Sequence, residues 1–381
     1  MRRSKICDKC CWQTLRDNAA PRRSGVLWEH SDAASNLAFA LAGLGGFNAH
    51  GAGFLAAARD KDIVPDLITA TSGQIAVLAA YLNRESDLNK HLIDPKIESN
   101  PFAQVNILLF GYPDVFAPAW AEAVRRLVRP PWIGFDFDFY ADRLLPAQVY
   151  KPTRTAETIA ALRDTFNKHP VGVIFNSYDP VTGEGALFGN DAARALMNPK
   201  THLDVPPDQK SADTRFDRPA GKEKPILPIT SEAIEAALWL TLYGFEGHPK
   251  EGMDGAYHRS CILSELHGFD RVYVCRPLAN GWCRKDLPKS YFDVQDWNTE
   301  TWFSVGYKAE SDAMKRINAL VADGKVSDPD YKYVDLVEVE PETPAGYFNF
   351  FIERDAVYET AYAKSCSIFD WVAGGKAGPR P

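Results

Sequence analysis

From residue 36 onward, short apolar runs alternate with longer stretches of helical periodicity. Asn36 to Ala42 reads as a buried strand, and Asn48 to Lys61 as an Ala-rich helix. Pro65 interrupts the chain, Asp66 to Ala70 reads as a second strand, and Gly73 to Leu82 as a second helix. A strand, a loop and a helix thus occur twice in succession, which predicts a parallel sheet with crossover helices. Further strands are expected at Val105–Phe110, Val171–Tyr178, Arg271–Pro277 and Tyr333–Glu340. Helices are expected at Thr155–His169, Ser231–Leu242 and Lys308–Asp323, the last stopped by Gly324. Asp204 to Pro225 is polar and Pro-rich, and reads as a surface loop inserted between core elements rather than a domain boundary. Residues 1–34 lack such patterning and read as an N-terminal arm.

One apolar stretch admits a second interpretation. Leu37 to Ala58 has no charged residue and is long enough to span a bilayer. It also carries five glycines, Asn48 and His50, and Gly43-Leu44-Gly45-Gly46 is poor helix interior. A strand, a glycine loop and a helix fit better than a membrane span.

Composition narrows the classes. The 381 residues suffice for a large core and carry a formal charge of −7. That balance argues against nucleic acid, and against attraction to anionic membranes by charge alone. Nine Trp suit apolar substrates and equally suit a big core. Of seven Cys, three crowd at Cys7, Cys10 and Cys11; this could be half of a zinc site, but no second ligand pair follows. Free thiols in a reducing cytoplasm are expected, with no metal or cofactor. Arg2, Arg3 and Lys5 precede no apolar segment of signal-peptide type, so a cytoplasmic location is expected.

The chemistry concentrates at three places. Ala70-Thr71-Ser72-Gly73-Gln74 stands where a strand becomes a helix. A sharp turn there lifts a serine hydroxyl to the sheet edge, beside the next backbone N–H and the positive helix N-terminus. The plainer alternative is a helix cap. Gly43-Leu44-Gly45-Gly46-Phe47-Asn48 ends the preceding strand, and its backbone amides can converge on an anion. It serves either a dinucleotide pyrophosphate or the oxyanion of an ester attacked by Ser72. Asn48 at the third glycine position, and the lack of a well-placed acidic residue downstream, disfavour the dinucleotide. Met253-Asp254-Gly255-Ala256-Tyr257 is either an ordinary Asp-Gly turn or the carrier of a base.

This order of motifs resembles the patatin-like phospholipase family. "FALAGLGGFNAHGAGFLAAARDKDIVPDLITATSGQIAVLAAYL" resembles its glycine loop and serine elbow, "NSYDPVTGEGALF" its central strand pair, and residues 229–275 its Asp-Gly segment and final strand. Residues 292–321 resemble a C-terminal helical extension of some bacterial members. The resemblance implies a three-layer α/β/α fold with a mostly parallel sheet, a hydrolase domain over 35–285 and an extension over 286–381. It implies Ser72 as nucleophile, Asp254 as base, and the amides of Leu44, Gly45, Gly46 and Gly73 as oxyanion hole. The substrate implied is a phospholipid or other fatty-acyl ester, with peripheral membrane contact and no cofactor. Phe47, Asn48, Ala70 and Gln74 depart from the family pattern, as does the absence of a Pro before the Asp-Gly segment.

Alternatives remain open. His258 or His267 could complete a Ser–His–Asp set. "WIGFDFDFYADRLL" (132–145) is an edge strand or an apolar flap over the acyl chain, and Asp136 with Asp138 makes a weak metal site. A catalytically silent lipid- or protein-binding relative, or a nucleotide-binding α/β protein, are the rival functions.

Overall fold

A computed structural model describes residues 36–43, 48–88, 109–111, 115–127, 148–197, 225–277, 287–326, 331–340, 355–376 and 380. The N-terminal arm with Cys7, Cys10 and Cys11, the loop at 204–224 and the aromatic stretch at 132–145 lie outside the described residues.

The protein is a mixed α/β fold with a mostly parallel central sheet. Strand β1 (Leu37–Leu41) leads into helix α1 (Asn48–Asp60), then β2 (Leu67–Ala70) and α2 (Gln74–Leu82). These match the apolar runs read from sequence, and the uncharged stretch from Leu37 divides into strand and helix as expected. No helix among the described residues is long and apolar enough to cross a membrane. A separate antiparallel pair follows: β3 (Phe116–Pro118) and β4 (Tyr150–Pro152), with α3 (Trp120–Leu127) between them. Next come α4 (Ala156–Lys168), β5 (Gly172–Tyr178), β6 (Gly185–Gly189), α5 (Asp191–Met197), β7 (Ile226–Pro228) and α6 (Ser231–Ala237). The two-residue β8 (Met253–Asp254), β9 (Arg271–Cys275), α7 (Tyr291–Ala322), β10 (Asp335–Val339) and α8 (Asp355–Ala373) complete the described chain.

The main sheet runs β10-β9-β1-β2-β5-β6-β7. The first five are parallel, so their carboxyl ends share one edge. The sheet reverses at the β5–β6 hairpin, the pair expected from residues 176–188. Period-2 alternation sends side chains to two faces. On one, Phe39 packs on Phe54 of α1, with ring centroids 5.0 Å apart, and Tyr273 packs on Phe369 of α8 at the same distance. On the other, Ala38, Ala40, Val272 and Val274 meet Ile262, Leu263 and Met314 of α7. Helices therefore cover both faces, which the near-continuous apolar strands require.

Four expectations change. The helix expected over Ser231–Leu242 stops at Ala237, because the carbonyl of Trp239 accepts from Asp254 N–H at 3.0 Å and leaves the helical path. The helix expected from Lys308 begins at Tyr291, started by a capping box between Ser290 and Asp293. Of the strand expected at Val105–Phe110, residues 105–108 lie outside the described residues, and Leu109 and Phe110 are helical. The C-terminal segment is not helical alone, since β10 is the edge strand of the main sheet. Helix α8 lies so close to α1 that a methyl on Gly53 would stand 2.4 Å from the carbonyl oxygen of Tyr358.

Candidate active site

Ser72 sits directly after β2, with φ at 58°. A β-carbon-bearing residue held in the left-handed region is strained, and such strain persists where surrounding structure enforces it. The turn is closed by Ile75 N–H donating to Ser72 O at 3.0 Å. Helix α2 is N-capped by Gly73 without a side-chain hydrogen bond, so the serine hydroxyl is not a cap. It donates instead to Oδ2 of Asp254.

The strand register explains this meeting. Ala70, the last residue of β2, stands beside Phe175 of β5. Beyond that point β2 has turned away and frees one flank of β5. Strand β8 fills it, pairing antiparallel to place Asp254 opposite Ser177. The carboxylate thus continues the sheet where the serine leaves it. Asn176 anchors the segment, its Nδ2 donating to Gly255 O at 3.1 Å and Arg259 O at 2.9 Å.

Both groups are buried, Ser72 to 2% exposure and Asp254 to 1%. Burial disfavours the Asp254 carboxylate and pushes its pKa up to about 7, against the opposing effects of Ser72, the Ala256 N–H and Arg154. The Ala256 N–H donates to Oδ1 at 2.9 Å, so each carboxylate oxygen has a partner.

The glycine loop starts against this elbow. A methyl on Gly43 would stand 2.2 Å from Thr71 O and 2.8 Å from Ser72 Cβ, a space only glycine leaves empty. Leu44, Gly45, Gly46 and Phe47 lie outside the described residues. Asn48 and Gln74 pack into neighbouring gaps. The Asn48 amide lies over Gly73, where a methyl would stand 2.3 Å from its Nδ2. The buried Gln74 side chain fills the space over Gly51 of α1, within 1.9 Å of where a methyl would be.

The histidines stand apart from the dyad. His258 is exposed and stacks on Tyr178, with ring centroids 5.8 Å apart. His267 precedes β9, at the opposite sheet edge from Ser72, and its Nδ1 is 2.8 Å from Ser264 O. Neither lies between the hydroxyl and the carboxylate, which touch directly. Among the described residues no group of three His, Cys, Asp or Glu could hold a metal ion.

Sequence reasoning missed Arg154 and Tyr243. Arg154 is half-buried after β4, and its charge acts on both the Tyr243 hydroxyl and the Asp254 carboxylate. Its setting, Lys-Pro-Thr-Arg-Thr before a helix, reads as a surface turn, and only the docking of β4 against residues 241–243 brings it inward. No protein-family model matches the chain, and no curated protein is significantly similar to it.

Proposed function

We propose that the protein is a serine hydrolase of fatty-acyl carboxylesters, built on a patatin-like α/β/α fold and acting through a Ser72–Asp254 dyad. The observation that carries this reading is the direct hydrogen bond from a strained, strand-end serine hydroxyl to a buried carboxylate.

A serine hydroxyl becomes an effective nucleophile when a base takes its proton as the new bond forms. Asp254, with its pKa pushed up to about 7, is a far better base than an ordinary carboxylate. Ser72 Oγ attacks the ester carbonyl carbon while its proton passes to Asp254. The oxyanion is met by the N–H of Gly73 at the start of α2; the family resemblance adds the amides of Leu44, Gly45 and Gly46 as further donors. One such donor is typically worth ~100–1,000-fold in rate. Collapse expels the alcohol, which takes the proton from Asp254, and leaves the acyl group on Ser72. Water, deprotonated by Asp254, then releases the acid and restores the hydroxyl.

The lipid part of the reading is supported by exposed apolar side chains around the β3–β4 pair. Phe110, Trp120, Val124 and Phe245 are each more than half exposed. Trp120 and Val124 lie one turn apart on α3, and such a face suits an acyl or membrane surface. The burial of Ser72 means that an ester reaches it only after its cover is displaced. Contact with a lipid surface is therefore expected to accelerate turnover.

A fluorophosphonate probe tests the reading. Labelling of the wild type but not of Ser72→Ala supports it. An unlabelled wild type, beside a control hydrolase that labels, points to a silent binding protein, the reading that Phe47, Asn48 and Gln74 favour. Graded p-nitrophenyl esters with and without vesicles then define the acyl preference.

A further inference from the structure

The mechanism above requires the base to stand still beside the nucleophile, and the end of β5 grips the chain on either side of Asp254. On the approach to β8, Ser177 Oγ donates to Glu251 O at 2.6 Å. Asn176, buried to 2% exposure, reaches the residues that follow, its Nδ2 donating to Gly255 O at 3.1 Å and to Arg259 O at 2.9 Å. One amide nitrogen carries two donors, so a single asparagine holds both carbonyls. The fit is close: a methyl on Gly255 would stand 2.3 Å from Asn176 Cγ. Gly255 is not among the glycines with positive φ, so what its position needs is room for that amide.

The turn that Asn176 holds also carries the second donor to the base. His258 and Arg259 N–H donate to Gly255 O at 3.0 and 2.8 Å, which closes 255–259 on itself. Within it, Ala256 N–H donates to Asp254 Oδ1 at 2.9 Å. Strand β8 ends at Asp254, so its ladder places the backbone, and the turn beyond it aims the side chain. The bonds inside the turn are local and do not fix where it stands relative to Ser72. The amide of Asn176 supplies that link, because β5 pairs with β2 up to Phe175, the residue before it. One carboxylate oxygen is thereby kept on Ser72 and the other on Ala256.

We propose that Asn176 is a positioning residue for the base: by clamping the turn 255–259 to β5, it keeps the Asp254 carboxylate aimed at Ser72 Oγ and within reach of Ala256 N–H. This rests on the hydrolase reading above and adds to it a residue that acts on the reacting atoms only through the turn. The competing role is plain satisfaction of buried carbonyls. Asn190 plays that role near the other end of β5. It is buried to 1% exposure, and its Nδ2 donates to Phe166 O, His169 O and Val171 O at 3.0, 3.2 and 2.9 Å.

A matched pair of variants separates the two roles. Asn176→Leu removes the donors at nearly constant volume, and Asn190→Leu does the same away from the dyad. Both are expected to lower the urea midpoint. Only Asn176→Leu is expected to lower kcat, by about 10- to 100-fold, with KM within about threefold of the wild type. A less well aimed Ala256 N–H disfavours the carboxylate, so the half-maximum of kcat/KM is expected to move up by about one pH unit. The other ionisable groups coupled to Asp254, namely Arg154, Tyr243 and Tyr257, are the same in both variants. Gly255→Ala keeps the amide but displaces it, and is expected to reproduce both changes in smaller measure; where Asn176→Leu does not fold, Gly255→Ala decides. An unchanged kcat and pH profile, or an equal change in Asn190→Leu, overturns the proposal.

Titration of the carboxyl by NMR decides the matter independently of turnover. The carboxyl carbon resonance of Asp254 is identified by its absence from Asp254→Asn. Its midpoint is expected to lie about one pH unit higher in Asn176→Leu and to stay in place in Asn190→Leu. If the wild type cleaves no ester but the midpoint shifts in this way, the hydrolase reading fails and the positioning role stands. If the wild type cleaves esters and neither midpoint nor kcat responds to Asn176→Leu, the positioning role fails and the hydrolase reading stands.

Discussion

Ser72 and Asp254 stand 182 positions apart in the chain and share one hydrogen bond in the fold. The bond ties a residue after β2 to a residue in β8 across the free flank of β5. If it carries the chemistry, Ser72→Ala lowers kcat by on the order of 10⁴-fold, and Asp254→Asn by a similar order. The pH profile is the sharper test. The base must be ionised in the free enzyme, so kcat/KM is expected to rise with pH and reach half its maximum near the Asp254 pKa of about 7. A half-maximum near pH 4 excludes Asp254 as the raised base.

The same carboxyl leaves a trace in stability. Its folded-state pKa is raised from 3.8 to about 7, so the folded protein binds this proton more tightly than the unfolded chain does. Its favourable contribution is complete below pH 3.8 and is lost as pH rises towards 7. The loss is about 4 kcal/mol at ~1.4 kcal/mol per pH unit. In Asp254→Asn the amide oxygen can still accept from Ala256 N–H while the NH₂ donates to Ser72. The variant is therefore expected to be inactive, to be more stable than wild type at pH 8, and to lose this pH dependence. Urea midpoints at pH 4 and pH 8 measure both.

Gln74 over Gly51 predicts a compensating pair. Gly51→Ala puts a methyl on the Gln74 side chain and is expected to cost ~1–3 kcal/mol, as overpacking typically does. Adding Gln74→Ala makes room, so the double variant is expected to recover most of that loss. Additive losses in the cycle would show that the two side-chain positions do not share this space.

Glu310 of α7 reaches Arg259, five residues beyond Asp254, with an Nε–Oε1 distance of 2.7 Å, and Glu265 holds the same guanidinium at 2.7 Å. Burial alone pushes the Glu310 carboxyl up, but Arg259 and Ser264 together hold it below its ordinary value. Its contribution is present above the ordinary carboxylate pKa and is lost as pH falls through the lower folded value. Glu310→Gln is expected to cost near the lower end of ~3–5 kcal/mol at pH 7, because Glu265 still pairs, and to cost less in acid. Chemical denaturation at pH 7 and pH 3 checks the direction.

Much of the frame was legible in the chain. The apolar runs of β1, β2, β5 and β9, the glycine break after Leu41 and the serine after Ala70 all appear as local patterns, because buried parallel strands are uniformly apolar and their turns need small residues. Helix ends were less legible. Ala237 ends α6 because Trp239 is claimed by a strand more than ten residues later, and nothing local to the helix signals that. The periodicity of the polar N-terminal half of α7 is weak, so there the helix was implied by the family resemblance, and its local signal is the capping box of Ser290 with Asp293.

The sequence by itself determined which residues are candidates for chemistry: a strand-end Ser72, glycines beside it, and a distant Asp254-Gly255. Periodicity, turn chemistry and residue type act over a few positions, so they reveal elements and candidates. Only the tertiary structure decided that Asp254 continues the ladder where β2 ends, that His258 and His267 stand aside, and that the charge of Arg154 acts on Asp254. A two-residue strand has no period to read, and the environment of a side chain is set by which edges and faces remain open once the longer strands have paired.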